Sequence, residues 1–405
     1  MLAYLPPLFF LAALMGSPVV GFLIFMLLGL LNAWQMWRQP QTSEAFHWTQ
    51  ADSWMALSFM SIFLFKLLSM TWSPSPTLAL GNAVWHLYFL FWPLILLGLA
   101  RCKSTQAAVD HGLAIGLIVS AGIATVLSIV KSGPDISALG NVGILAQLIM
   151  LLGSWNLLAL TRPGTQPKTL RFLFGSAFIC SWITLILTTR RLELLGFAVL
   201  SGTVILYRTW HRLTRQQILT LCMALISLAG ILISLRWIRF VQGFGEVAQY
   251  FDNRANNMPY VPNSWGARLE IWRLGMTAIL EHPLLGLSAS ARPYDIPGAP
   301  PAEIFGHRHF HSQLMQTLVE GGLLGLVVFA AALWYSSHKL IIHAWYDQRE
   351  TALLATTLLA SYLIEGTSSA ALVYDKPNAV LIVASAWCWL QLRTPPGKTA
   401  THTME

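Results

Sequence analysis

Long apolar segments separated by short polar connections recur along almost the whole chain of 405 residues. A bilayer core offers the backbone no water to hydrogen-bond with, so segments of this length cross it as helices. Charged residues, Pro and Gly delimit twelve of them, near 4–15, 18–36, 53–72, 84–100, 107–130, 138–160, 170–188, 192–207, 217–235, 313–335, 351–371 and 377–392. The sequence therefore predicts an all-α polytopic membrane protein with about 12 transmembrane helices.

The composition favours the same class of protein. Hydrophobic residues make up 55% of the chain and charged residues only 10%, whereas a soluble domain carries about 25% charged residues. The first apolar segment has no basic residue before it, so we expect it to remain as a helix and not to be removed as a signal peptide.

Lys and Arg are distributed unevenly over the predicted connections. If the N-terminus lies inside, the inner connections and the C-terminal tail contain thirteen of them, and the short outer connections contain four. The positive-inside rule then places both termini in the cytoplasm of a bacterial cell. The net charge of +8 is explained by this topology, and no nucleic-acid partner is expected.

One connection is much longer and more polar than the others. It would lie on the periplasmic side, and its residues 266–281 have apolar side chains at helical spacing, which indicates an amphipathic helix at the membrane interface. The predicted organisation is helices one to nine in 1–236, a large periplasmic loop in 237–312, helices ten to twelve in 313–392 and a cytoplasmic tail in 393–405.

Ionisable side chains within or beside membrane segments are candidates for function, because burying them there is costly. Four groups meet this description. They are Arg190, Arg191 and Glu193; Arg268 and Arg273; His307, Arg308, His309 and His311; and Lys66, Glu320 and Glu365.

The arginines also have structural explanations. Arg190 and Arg191 could extend their side chains to lipid head groups. Arg268 and Arg273 could form the wet face of the amphipathic helix.

The histidines and the lysine have alternatives as well. Every second residue from His307 to His311 is a histidine, and in an extended segment these rings could share one face and bind a metal ion. Lys66 could form an ion pair with Glu320 or Glu365 in place of a functional role.

Two arginine sites and a histidine at one membrane face form a more specific pattern than any of them alone. Arginine binds phosphate through two parallel hydrogen bonds, and a neutral histidine can take a proton from a hydroxyl at neutral pH. The pattern suits attack by a hydroxyl on a carbon that carries a phosphate leaving group. No carboxylate cluster or DxD pair indicates a metal ion that would hold the phosphate, so arginine would take its place.

Three segments resemble motifs of bacterial O-antigen ligases, whose superfamily also contains O-antigen polymerases and bacterial protein O-oligosaccharyltransferases. His311-Ser312, followed after nine residues by Gly322-Leu-Leu-Gly325, resembles the H[NSQ]x9GxxG pattern. Residues 191–195 resemble an Rx3L motif, and residues 268–286 resemble an R…W…HPxxG stretch. The resemblance covers roughly residues 180–330.

The resemblance implies a metal-independent, inverting glycosyltransferase of the GT-C kind. It would transfer a polysaccharide from undecaprenyl diphosphate to a sugar of lipid A-core in the periplasmic leaflet of the inner membrane, completing lipopolysaccharide. By the same resemblance His311 would be the general base, and Arg191 and Arg268 would stabilise the diphosphate. We also expect a monomer without a cofactor, whose partners are these two substrates and membrane lipids. The further candidates for substrate binding are Arg190, Arg273, His309 and Lys66.

Three other functions remain open at this point. An O-antigen polymerase would use the same donor but a second lipid-linked glycan as acceptor, and the single large outer loop favours a ligase. A protein O-oligosaccharyltransferase would need a protein acceptor. A lipid or glycan transporter, from a different class, should show inverted repeats and broken helices near mid-membrane, and the sequence indicates neither.

Overall fold

The computed structural model describes residues 2–15, 18–38, 46–131, 141–164, 166–210, 214, 216, 223, 237–256, 263–300 and 308–393. Within these ranges all regular elements are helical, which confirms the predicted all-α class. Nearly all of the predicted span 217–235 lies outside the described residues, as do His307 and the tail after residue 393.

The described α-helices are numbered here in chain order. They are α1 (Leu5–Leu14), α2 (Pro18–Arg38), α3 (Gln50–Leu68), α4 (Pro76–Val84), α5 (Leu87–Leu90), α6 (Trp92–Cys102), α7 (Gln106–Val130), α8 (Val142–Leu160), α9 (Lys168–Thr188), α10 (Arg191–Thr209), α11 (Trp237–Ala255), α12 (Ser264–Glu281), α13 (Gln313–Ser337), α14 (Ala344–Asp347), α15 (Arg349–Gly366) and α16 (Asp375–Arg393).

Seven helical stretches in the described part of the chain are long and apolar enough to cross a membrane. This is the architecture of a multi-pass membrane protein, while the total of twelve spans stays a prediction. The seven stretches are Pro18–Arg38, Gln50–Trp72, Gln106–Val130, Val142–Leu160, Lys168–Thr188, Arg191–Thr209 and Gln313–Asp347.

Helix α8 forms the centre of the bundle. Its residues from Ile144 to Ala159 are buried, and α7, α9, α10 and α15 pack around it. The surrounding helices expose large apolar side chains such as Phe172 and Val199 on their outer faces. A helix that is apolar and buried all round belongs to the core of a membrane bundle, and the exposed apolar faces suit contact with lipid.

Ion pairs connect neighbouring helices at one end of the bundle, called the basic end below. They hold the starts of α3, α7 and α15 against the ends of α8, α10 and α16, as expected for helices that alternate in direction. The pairs are Asp110–Arg162 at 2.8 Å, Glu350–Arg208 at 2.6 Å and Asp52–Arg393 at 3.0 Å.

The predicted span 84–100 is wrong as a single helix. The structure has α4, α5 and α6 in this region, separated by turns at Trp85–His86 and at Phe91. Pro93 lies in the first turn of α6, where its missing N–H costs nothing, but a helix that ran through this position would lose a backbone hydrogen bond.

The large loop contains more helix than the sequence predicts. Helix α12 occupies Ser264–Glu281 and is preceded by the additional helix α11. The side chain of Asn263 accepts a hydrogen bond from the backbone N–H of Gly266 and caps α12. Helix α11 packs against α12 through a hydrogen bond from the Tyr250 hydroxyl to Glu270, of 2.7 Å.

Helix α13 is broken at Gly322, which has φ 58° and ψ −155°. After the break, the N–H of Leu323 donates to the carbonyl of Pro283 at 2.8 Å, and the N–H of Leu324 donates to that of Leu284 at 3.1 Å. The N–H of Leu287 donates in turn to the carbonyl of Val319, at 2.7 Å. The expectation that the chain has no broken helix is therefore wrong. The break is tolerated because the turn 283–287 replaces the hydrogen bonds that the helix loses.

Two glycines allow this close approach. A Cβ atom on Gly322 would lie 2.4 Å from the carbonyl carbon of Leu284. A Cβ atom on Gly286, which has φ 63°, would lie 2.5 Å from the carbonyl oxygen of Val319. The first and third of the resembling motifs thus meet at this junction.

Replacing Gly322 should destabilise the protein. Its backbone conformation is one that only glycine adopts readily, so Gly322→Ala is expected to lose on the order of 1–3 kcal/mol from strain, apart from the clash with Leu284. Thermal unfolding in detergent measures the loss. Gly175→Ala, in α9 where nothing lies within 4 Å of the added atom, should be neutral or stabilise by up to about 1 kcal/mol. Equal unfolding temperatures for the two variants would contradict the conclusion that the backbone at position 322 requires glycine.

Candidate active site

Three arginines come together at the end of the bundle opposite the basic end, and they are called the arginine cluster. Arg190 caps α10, Arg191 is its first residue, and Arg268 lies in the second turn of α12. Burial and the charge of Arg190 lower the pKa of Arg268, while the carboxylates of Glu193 and Glu365 raise it. The structure therefore brings the predicted phosphate-binding arginines of two separate motifs to one place.

Two buried carboxylates accompany the arginine cluster. Glu193 is 4% exposed and Glu365 is 5% exposed. One carboxylate oxygen of Glu365, Oε2, has no hydrogen-bond partner among the described residues. Three guanidinium groups beside two carboxylates leave an excess of positive charge, which suits an anionic ligand.

The backbone of Phe310 is fixed on both sides. Its N–H donates to Oε1 of Gln316 at 2.9 Å, and its carbonyl accepts from the indole N–H of Trp272 at 3.1 Å. The Phe310 side chain is 0% exposed and packs against residues of α12. These contacts hold the positions of His309 and His311, the two neighbours of Phe310, relative to α12.

The two histidines form a close pair. The ring centroids of His309 and His311 are 4.2 Å apart. His311 has φ 49°, a left-handed conformation that is uncommon outside glycine and that occurs at functional sites. The next residue, Ser312, caps α13 by accepting from the N–H of Met315 at 3.5 Å.

Tyr374, just before α16, contacts the histidine pair. Its hydroxyl is 3.3 Å from Nε2 of His309. Burial raises the pKa of Tyr374, the charge of Arg190 lowers it and the charge of Glu365 raises it. Tyr374 therefore touches the histidines and is within electrostatic range of the arginine cluster.

Arg273 has a different environment from Arg268. Its Nη2 lies 2.6 Å from Oε1 of Glu270, and its Nε lies 3.1 Å from both carboxylate oxygens. Burial raises the pKa of Glu270, but the hydrogen bonds from Arg273 and Tyr250 outweigh it and lower the pKa below its usual value. Arg273 thus forms an ion pair within α12, with the same glutamate that binds Tyr250 of α11, and its predicted contact with substrate stays a prediction.

Lys66 forms an ion pair with Glu320, the first of the two carboxylates that the sequence offered. The other carboxylate oxygen of Glu320 accepts from the side-chain amide of Gln316 at 2.6 Å. Oε1 of the same Gln316 side chain accepts from the backbone N–H of Phe310. Lys66 is therefore linked to the histidine segment through two side chains, and its direct contact with substrate stays a prediction.

An apolar cavity of about 400 Å³ begins beside the histidine segment. Its wall starts at Ser312 and Gln313 and follows α13 towards Leu340, with α15 and α16 on the other side. Leu314 and Leu363 line the cavity and are more than half exposed, so it opens at the bundle surface between α13 and α15. A cavity of this volume and lining suits an apolar ligand.

Tyr374 and Gln316 were not among the residues that the sequence predicts for the site. An aromatic residue at the start of an apolar segment is typical of the interfacial belt, and a lone glutamine carries no motif. In the described parts of the chain, no three His, Cys, Asp or Glu side chains are placed to hold a metal ion.

Comparison with known families gives one result for this region. A family model described as O-antigen ligase matches residues 176–330, a range that includes the arginine cluster, the histidine pair and the break in α13. No curated protein matches the chain. The match supports the resemblance that the motifs indicate: residues 176–330 are similar to the O-antigen ligase family.

Proposed function

We propose that this protein is an O-antigen ligase, which transfers a glycan from undecaprenyl diphosphate to a sugar hydroxyl of lipid A-core. One observation carries the proposal: Tyr374 contacts the histidine pair and is within electrostatic range of Arg190 in the arginine cluster, and an apolar cavity begins beside the histidines. This combination supplies an anion site, a base and an apolar binding surface within one end of the bundle.

The donor diphosphate would bind at the arginine cluster. Arg191 and Arg268 can each offer two parallel N–H groups to phosphate oxygens, and Arg190 adds charge. Glu193 and Glu365 reduce the excess positive charge without cancelling it. A moderate excess favours binding of the diphosphate and still permits its release after the reaction.

The lipid tail of the donor would enter the apolar cavity. The cavity begins at Ser312, next to His311, and opens to the surface between α13 and α15. A tail that enters there places its head group beside the histidine pair. The tail therefore keeps its contact with lipid while the diphosphate lies among charged groups.

Transfer would occur by direct displacement. The acceptor hydroxyl attacks the anomeric carbon, and its proton passes to His311. The bond between this carbon and the diphosphate oxygen breaks, and the electron pair leaves with the diphosphate, whose growing charge the arginines stabilise. The anomeric centre is inverted, and no metal ion is required for charge balance.

The orientation of the site follows from the distribution of basic residues. The basic end of the bundle contains Arg162, Arg208 and Arg393, and the candidate site lies at the opposite end. Under the positive-inside rule the basic end faces the cytoplasm. We therefore place the site at the periplasmic face of the inner membrane, where a lipid-linked glycan and lipid A-core would meet.

His311→Asn should lower the rate of glycan transfer by at least about 100-fold, because the base is lost. Asparagine also tolerates left-handed backbone, so the turn should be preserved. The assay uses purified protein in lipid nanodiscs with a lipid-linked glycan and lipid A-core. His111→Ala, in α7 at the basic end, is the matched control and should keep its activity. Full activity of His311→Asn would exclude this residue as the base.

Arg191→Lys should reduce kcat/KM for the donor on the order of 10- to 100-fold. The positive charge remains, but the two parallel hydrogen bonds to phosphate are lost. Arg171→Lys, at the exposed start of α9, is the control and should have no effect. If Arg191→Lys retained wild-type kcat/KM, its side chain would serve only to reach lipid head groups.

The acceptor separates a ligase from a polymerase. Purified protein is given the lipid-linked glycan with equal amounts of lipid A-core and of a lipid-linked single repeat unit, in the presence of EDTA. We expect the glycan on lipid A-core alone, detected by mass spectrometry. Glycan on the lipid-linked repeat unit would show a polymerase, and loss of activity that a divalent cation restores would show a metal-dependent reaction.

A further inference from the structure

A hydrogen bond joins His309 of the histidine pair to Tyr374, just before α16. Resting on the proposed function, we propose that Tyr374 is a positioning residue, which donates its hydroxyl proton to Nε2 of His309 and keeps that ring neutral. The proton taken from the acceptor is then carried by His311 alone.

The geometry supports a hydrogen bond between the two groups, and the tautomer of His309 sets its direction. The hydroxyl oxygen of Tyr374 is 3.3 Å from Nε2 of His309, and the two rings meet edge to face at 5.7 Å. Burial raises the pKa of Tyr374, and the phenol keeps its proton at neutral pH. A phenol that donates to Nε2 requires a ring that carries its own proton on Nδ1, which is the neutral tautomer.

The short distance between the two histidines makes the neutral state of His309 important for the function of His311 as a base. With ring centroids 4.2 Å apart, two imidazolium ions would repel each other strongly. If His309 were protonated, His311 could not readily accept the proton of the acceptor hydroxyl. A neutral His309 therefore keeps His311 available as the base.

The backbone on both sides of Tyr374 is fixed. Its carbonyl accepts from the N–H of Asn378 at 3.3 Å, and the N–H of Leu372 donates to Oε1 of Gln313 at 3.0 Å. The side-chain amide of Asn378 donates to the carbonyls of Leu372 and Trp85, at 2.8 Å and 3.0 Å. Gln313 belongs to the first turn of α13, so Tyr374 is held relative to the helix that follows the histidines.

The charged groups that act on Tyr374 are Arg190, before α10, and Glu365, at the end of α15. His309 contacts Tyr374, and the titratable residues beside His309 on the same segment are Arg308 and His311. Tyr374→Phe leaves all of these groups in place and removes only the hydroxyl.

The test is the pH dependence of transfer by Tyr374→Phe. Without the donated proton the neutral form of His309 is less favoured, so its pKa rises. The ring then becomes charged at higher pH and competes with His311. We expect the acid limb of the kcat profile to move to higher pH by about one unit, and kcat at neutral pH to fall about tenfold with little change in KM for the donor.

Tyr250→Phe is the matched control. It also removes a phenol hydrogen bond, the one between α11 and α12, and Tyr250 has no contact with a histidine among the described residues. Its pH profile should keep the wild-type position. The proposal is overturned if Tyr374→Phe lowers kcat equally at every pH, which is the result of a purely structural role, or if it leaves the profile unchanged.

A second measurement does not depend on activity. Nitrogen-15 NMR of histidine-labelled protein in nanodiscs reports the tautomer and titration of His309, assigned by its absence in His309→Gln. We expect a proton on Nδ1 in the wild type and a higher titration midpoint in Tyr374→Phe. Equal titration midpoints of His309 in the two proteins would refute the positioning role of Tyr374, whether or not the protein transfers glycan. A shifted midpoint in a protein without transferase activity would refute only the proposed function.

Discussion

The hydrogen bonds between the broken helix α13 and the turn 283–287 determine how the candidate site is assembled. A break within lipid would leave N–H and carbonyl groups unpaired, at a cost of a few kcal/mol for each. The turn satisfies them with its own backbone, and Gly286 and Gly322 make room for the contact. The turn follows α12, which carries Arg268, and α13 follows the histidine pair. One junction therefore links the position of α12, which carries Arg268, to that of the histidine pair.

Much of the fold was predictable because apolar length decides which segments enter a membrane. The predicted span 192–207 corresponds to α10, and the predicted helix 266–281 corresponds to α12. The prediction failed where tertiary contacts decide the backbone. Gly322 lies in a sequence without Pro that suits a continuous helix, and only the approach of the turn 283–287 stabilises its left-handed conformation. Helix α11 was missed because its polar face is paired with α12, which hydropathy alone does not show.

In the candidate site, the charged residues were predictable from the sequence and the residues that connect them were not. Arginine and histidine at the borders of apolar segments are conspicuous because burying them is costly, and Arg191, Arg268 and His311 were identified on that basis and by resemblance. The connecting residues carried no such signal. Gln316 and Tyr374 act through hydrogen bonds to segments that are distant in sequence, and their roles follow only from where α13 and α16 begin. Candidate residues were therefore easier to find in the sequence than the contacts that orient them.

The cavity beside α13 has a consequence for how a lipid-linked substrate would reach the protein. Its volume of about 400 Å³ is that of a site for a drug-sized molecule, far too small for a long polyprenyl chain. For a lipid-linked donor, most of the chain stays in the bilayer while the first units enter between Leu314 and Leu363. Loading and unloading then occur by diffusion within the plane of the leaflet, without extraction of the lipid. Discrimination among carriers falls on the head group and the first isoprene units, and chain length contributes little to it.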